Sequence, residues 1–161
     1  MHPRASSLIR LLDLTPHPEG GYYREVFRSP RMVRVSDSAV ERTAITTIYF
    51  LLVAGQHSRW HRIGSDEVWH YYEGDPLELI WLDAAKIVAQ RHVLGLAADM
   101  CQPVQIVPAG SWQAARSLGE YTLVGCSVAP GFEFTDLSLL ADNPEEQALV
   151  RDRFPDLAAL I

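Results

Sequence analysis

Between Tyr22 and Phe134 the chain alternates short β-branched and aromatic runs with turn residues, and this rhythm constrains the fold more than any other feature. The densest run is Thr46–Val53 (TTIYFLLV), long enough for a strand buried on both faces. Tyr22–Phe27 sets Tyr23, Glu25 and Phe27 on one side and Tyr22, Arg24 and Val26 on the other. Further strands are predicted at Ser58–Ile63, Glu67–Tyr72, Leu77–Leu82 and Ile87–Val93. Val104–Val107, Ser111–Ala115, Tyr121–Val128 and Phe132–Phe134 complete the series. Turn signals separate nearly all of them, among them Gly64-Ser65-Asp66, Glu73-Gly74-Asp75-Pro76 and Ala129-Pro130-Gly131. Short strands at such regular spacing predict an all-β sandwich or barrel.

Helices are expected only at the ends. Ala5–Leu14 places Leu8, Leu11 and Leu12 on one face behind Ser6 or Ser7 as cap. Asn143 is expected to cap a second helix, with Pro144, Glu145 and Glu146 in its first turn, before Pro155 interrupts it. The expectation is one domain over 1–161, with a barrel over about 16–140 and a helical segment over 143–161.

Composition narrows the partners. Hydrophobic residues are 48% and charged residues 21% of the 161, a globular balance that excludes disorder and collagen-like repeats. Fourteen basic against 20 acidic side chains leave −6, which argues against nucleic acid. The longest apolar run, Ile48 to Gly55, falls far short of the ~20 residues that span a bilayer, so no membrane is expected. Cys101 and Cys126 do not make a disulfide framework, and Met1-His2-Pro3-Arg4 has no apolar stretch behind it. A soluble, cytoplasmic protein is the expectation.

The chemistry concentrates in HSRWHRIGSDEVWHYYEG, His57 to Gly74. Strict alternation puts His57, Arg59 and His61 on one face of a strand, and Glu67, Trp69 and Tyr71 on one face of the next. Paired as a hairpin, these strands bring His61 and Glu67 together, an imidazole–carboxylate pair suited to a divalent metal or to acid–base work. The alternative is a polar cluster that only satisfies its own hydrogen bonds. Arg59 and Arg24 are candidates to clamp a phosphate or carboxylate, with an internal salt bridge to Glu25 or Glu67 as the alternative. Glu19-Gly20-Gly21-Tyr22 is either a flap over the barrel mouth or a tight turn. Trp69 and Tyr71 are expected to stack on a ligand while filling the barrel, Trp112 to be core, and His17 and His92 to lie on the surface.

These blocks carry a resemblance. Glu67, six residues, then Gly74 matches the end of the first cupin motif, G-x5-H-x-H-x(3,4)-E-x6-G. Gln102–Gln113 (QPVQIVPAGSWQ) matches the second, G-x5-P-x-G-x2-H-x3-N, at Pro108, Gly110 and the position of its histidine. With PHPEGGYYRE (Pro16–Glu25) and APGFEFTDLSLL (Ala129–Leu140), the chain resembles the fifth cupin family, small single-domain proteins long filed as of unknown function. The resemblance implies a double-stranded β-helix, the cupin jelly roll, a homodimer, and a small-molecule cavity inside the barrel. Sedimentation as an 18.0 kDa monomer would contradict the dimer.

The departures decide the site expected. Ile63 stands where the first motif has its second histidine, and Gln113 where the second motif has its own. No metal cofactor is therefore expected; were a divalent metal bound weakly, His57, His61, Glu67 and Gln113 would hold it. Metal-free relatives in the superfamily include nucleotide-sugar 3,5-epimerases. By that analogy the ligand is a polar small molecule, namely a sugar, a nucleotide-sugar or a phosphorylated metabolite. His61 would be the base, Glu67 or Asp136 its orienting partner, and Tyr71 or Tyr49 the acid. Glu19, Arg24, Tyr49, His57, Arg59, Trp69 and Gln113 would bind the ligand. A carrier or sensor without turnover, or a metal-dependent oxygenase-like enzyme with an incomplete ligand set, are the alternatives.

Overall fold

Strand formation follows the predicted rhythm in the computed structural model, which describes residues 1–34, 40–83 and 88–161. The strands are β1 (Thr15–Pro16), β2 (Tyr22–Arg28), β3 (Met32–Arg34), β4 (Glu41–Thr43) and β5 (Thr46–Val53). They continue as β6 (His57–Arg62), β7 (Asp66–Gly74), β8 (Leu77–Asp83), β9 (Val88–Leu94) and β10 (Cys101–Gln102). The last are β11 (Val104–Val107), β12 (Trp112–Ser117), β13 (Tyr121–Ala129) and β14 (Ser138–Leu139). One sheet runs β1-β2-β5-β13-β7-β11 and the other β10-β9-β8-β12-β6-β14, with β3 and β4 as a separate hairpin. This is the double-stranded β-helix jelly roll.

The interior between the sheets is filled by Phe50, Leu52, Trp69, Leu77, Leu79 and Val124. The apolar run of β5 is explained by cover on both sides. Phe50 and Leu52 face inward, while Leu51 and Val53 pack with Ala5 and Leu8 of α1 (Pro3–Leu11). On the second sheet, Trp60, Ile80 and Trp112 are covered by Val150 of α2 (Pro144–Arg153) and by Leu157 and Leu160 beyond it. The Trp60 indole N–H donates to the Leu157 carbonyl at 3.1 Å, so burial leaves its polar end satisfied.

Several elements depart from expectation. The first helix is capped by His2, whose Nδ1 accepts from the Arg4 N–H at 3.2 Å, with Pro3 opening the helix rather than Ser6 or Ser7 capping it. Asn143 occupies the cap of α2, but its side chain donates back to the Leu139 carbonyl at 2.7 Å. Phe132–Phe134 forms no strand and leads into a short 3-10 turn. The short strands β1, β3, β4, β10 and β14 are too brief to show a period of two. Ile87 lies outside the described residues. Among the described residues no helix is long and apolar enough to cross a membrane.

Candidate functional site

The site begins with a β-bulge. Strand β12 pairs with β6 at Gln113↔His61 and Ala115↔Ser58, so two steps on β12 meet three on β6. The extra residue breaks strict alternation and changes which side chains share a face. Ser58 and His61 turn inward together, while Trp60 goes to the outer cluster. His57 and Arg59, expected beside His61, are both displaced from that face. His57 is half-buried opposite Arg116 and does not line the cavity.

Arg59 has a different partner from those expected. Its guanidinium donates to the Pro18 carbonyl, and its backbone N–H donates to the Glu19 carbonyl at 2.8 Å. The His17–Gly21 turn is thereby strapped to β6. His17 N–H donates to the Gly21 carbonyl and Gly20 N–H to the His17 carbonyl, both at 3.0 Å. Gly20, at φ +113°, lies so close to β6 that an added Cβ would sit 2.3 Å from the His57 carbonyl oxygen. This turn drives Glu19 into the barrel, where the residue is 6% exposed.

Glu19 is the partner of His61. Its Oε2 lies 3.1 Å from His61 Nε2, and its Oε1 accepts from the Ser58 hydroxyl at 3.1 Å. His61 Nδ1 lies 2.8 Å from the Arg59 carbonyl, which can only accept, so Nδ1 carries the hydrogen and Nε2 presents a lone pair. A lone pair facing a carboxyl oxygen at hydrogen-bond distance requires one proton between them. Burial pushes Glu19 up to about 8 and pushes His61 down. Both shifts select the same state, a carboxylic acid donating to a neutral imidazole. Asp136, the other expected partner, is instead held bidentately by Arg42, with one arm at 2.6 Å.

Glu67 stands nearby, 6% exposed and raised by burial. Its Oε2 accepts from Gln113 Nε2 at 2.6 Å, and Cys126 lines one cavity with it. The other end of the Gln113 amide accepts from the Trp69 indole at 3.2 Å. Gln113 is thus a buried brace between Glu67 and Trp69, with both ends of its amide engaged.

These groups face a cavity of about 290 Å³ between the first sheet and β6. Glu19, His61 and Glu67 line it together with Ile63 and Cys126. His17 also lines it, with a side chain only 6% exposed, rather than lying on the surface. Its Nδ1 accepts from the Glu19 N–H at 3.3 Å, and burial holds it down to about 4, so it is neutral and makes no ion pair with Glu19. Tyr23 stands edge-on to His17 with centroids 4.5 Å apart, and Phe132 and Phe134 continue the aromatic wall.

The remaining expected site residues lie elsewhere. Tyr71 keeps the inward face of Glu67 and Trp69 but packs four residues along β7 from Glu67, where its hydroxyl donates to the Gly74 carbonyl, and does not line the cavity. Tyr49 is on the outer face, edge-on to Tyr72. Arg24 is exposed and donates to the Leu12 carbonyl at 3.1 Å. Trp69 is buried in the core rather than lining the cavity. Tyr23 was not singled out from the sequence, although its place inward on β2 beside Glu25 is readable from alternation.

The four residues expected to hold a weakly bound metal are not brought together as one set. Ile63 offers hydrocarbon, Gln113 is engaged at both ends and His57 faces away. Among the described residues no group of three His, Cys, Asp or Glu is arranged to hold an ion.

The proton inventory predicts a pH dependence of stability. Glu19 keeps its proton to about pH 8 when folded, against an ordinary 4.5, so the folded state binds more protons between these values. Stability from this group therefore falls as pH rises through that window. His17, at about 4 against 6.5, has the opposite sign and loses stability as pH falls below 6.5. Above pH 6.5 the Glu19 effect stands without that opposition. The melting temperature is expected to fall from pH 6.5 to 8, with Glu19 supplying at most ~1.4 kcal/mol per pH unit. Glu19→Gln should flatten that limb; an unchanged slope in circular-dichroism melts would contradict the assignment.

Comparison with known proteins agrees with this architecture. The family profile described as Cupin superfamily (DUF985) matches residues 6–140. No match was found among curated proteins. The chain is similar to a hypothetical protein from Leishmania major, 34% identical with a TM-score of 0.82 over 98% of this chain and 96% of that one. A protein from Shewanella oneidensis is 31% identical, with a TM-score of 0.81 over 97% and 93% of the two chains. A mutant of Bacillus subtilis oxalate decarboxylase is similar at a TM-score of 0.60 but only 16% identity, covering 89% of this chain and 35% of that one. At that identity the likeness is one of fold alone.

Proposed function

The chain belongs to the cupin superfamily, in the family described as Cupin superfamily (DUF985), and on that premise we propose that it binds a polar, sugar-sized molecule in the barrel and moves a proton on it. The observation that carries this reading is the 3.1 Å contact between Glu19 Oε2 and His61 Nε2 on the cavity wall. A volume of about 290 Å³ is at the small end of ligand cavities, roughly 300–1,000 Å³, and suits a monosaccharide better than a nucleotide-sugar.

Glu19 and His61 act as one acid–base unit. Whichever of them gives the proton to the ligand, the other is left able to accept one, so a hydrogen beside a carbonyl can be removed and replaced. That is the chemistry of an isomerase or epimerase. Glu67, braced by Gln113, faces the same space and orients hydroxyl groups. Phosphorylated ligands are disfavoured: among the described lining residues Arg28 is the only cation, and it is already bonded to Glu25 at 2.8 Å and Glu133 at 2.7 Å.

The test is hydrogen exchange in deuterium oxide with a panel of aldoses and ketoses, read by proton NMR. Protein-dependent loss of the signal beside the carbonyl of at least one sugar is expected. Binding without exchange would make the barrel a carrier or sensor and would overturn the catalytic reading.

A further inference from the structure

Two buried carboxyls and an aromatic wall face the cavity without a free cation among the described residues. Glu19 and Glu67 are each 6% exposed, and neither forms an ion pair with Lys or Arg among the described residues. Arg28, the one cation of the described lining, gives its Nε and Nη groups to Glu25, Glu133 and the Phe132 carbonyl. On the same cavity, starting at His17 with its Nδ1 3.7 Å from Glu19 Oε2, the rings of His17, Tyr23, Phe132 and Phe134 form a connected set. His17 lies 5.8 Å from Phe134, Tyr23 6.4 Å from Phe134, and Phe132 5.1 Å from Phe134. Phe134 is 51% exposed, which puts the aromatic set on the solvent side of the cavity.

From this arrangement we infer that the ligand carries a positively charged nitrogen, an ammonium group on a sugar-sized polyol, held between the Glu67 carboxyl and the aromatic wall. Carboxyl oxygens accept the N–H donors of an ammonium group, and ring faces attract its charge where water is excluded. A phosphate or carboxylate would meet the Glu67 carboxyl and no unspent cation among the described residues. A neutral sugar would pack its C–H face on the rings but bring no positive charge to them. The inference rests on the cavity reading above and specifies its substrate class.

The test compares glucosamine, glucose and glucose 6-phosphate by thermal shift and calorimetry at pH 7, with the intact chain. Glucosamine is expected to bind at least tenfold tighter than glucose and to raise the melting temperature by several degrees, roughly 2–4 °C per kcal/mol of binding stabilisation. Glu67→Gln keeps a hydrogen-bonding neighbour for Gln113 and should abolish the preference for glucosamine over glucose. Phe134→Ala, at an exposed position, should weaken glucosamine severalfold without altering the fold. Glucose or its phosphate binding as tightly as glucosamine would overturn the ammonium inference and leave the cavity reading standing. No binding by any of the three would overturn both.

Discussion

Gly20→Ala is expected to destabilise the protein by at least ~2–3 kcal/mol and to abolish the Glu19–His61 contact. At φ +113° an alanine is strained before it touches anything, and its Cβ would then meet the His57 carbonyl oxygen at 2.3 Å. That oxygen belongs to the β6 backbone, so relief comes only by moving the turn away from the strand. The turn is what holds Glu19 in the barrel, through the Arg59 N–H to the Glu19 carbonyl at 2.8 Å. Gly55→Ala is the control. It has φ +78° but nothing within 4 Å of an added Cβ, so it carries backbone strain alone and should leave the site unchanged. Denaturant titration of both variants separates the two effects. Equal losses would show that the packing of the turn against β6 contributes nothing.

His61→Asn is expected to slow the proton exchange by about 10²–10⁴-fold, the usual span for a positioned acid–base group. Glu19→Gln should cost a similar factor, because either change removes the shared proton from the 3.1 Å contact. Groups that act as a unit lose their effect together, so the double variant should be scarcely slower than either single one. Tyr71→Phe, by contrast, alters a hydroxyl bonded to the Gly74 carbonyl outside the cavity and should leave the rate near that of the unaltered protein. Additive losses at Glu19 and His61 would dissolve the pair into two independent residues.

Much of the frame was legible in the sequence, and the misplacements have local causes. Alternation along β7 correctly turns Glu67 and Trp69 inward, and the density of β5 foretells cover on both faces. The position of His61 inside the barrel was also readable. Its neighbours were not, because the bulge in β6 arises from register against β12, and no single residue of SRWH announces it. One extra residue exchanged His57 and Arg59 for Ser58 as the inward companion of His61. A second bulge, in β7, takes Tyr72 out of register beside Tyr71. The role of Glu19 was half visible: the two glycines signal close backbone approach, but the depth of the turn depends on Arg59, forty residues on in sequence. His17 is a further case, since a histidine between two prolines reads as a loop residue until the aromatic wall around it is assembled.

The most direct measurement is a pH titration of the His61 ring nitrogens by ¹⁵N NMR, with Glu19→Gln as comparison. The ring is expected to be neutral with hydrogen on Nδ1 through pH 6 to 8, with a change at Nε2 near pH 8 that disappears in Glu19→Gln. A ring that titrates near its ordinary 6.5, the same with and without the Glu19 carboxyl, would contradict the shared proton on which the proposed chemistry depends.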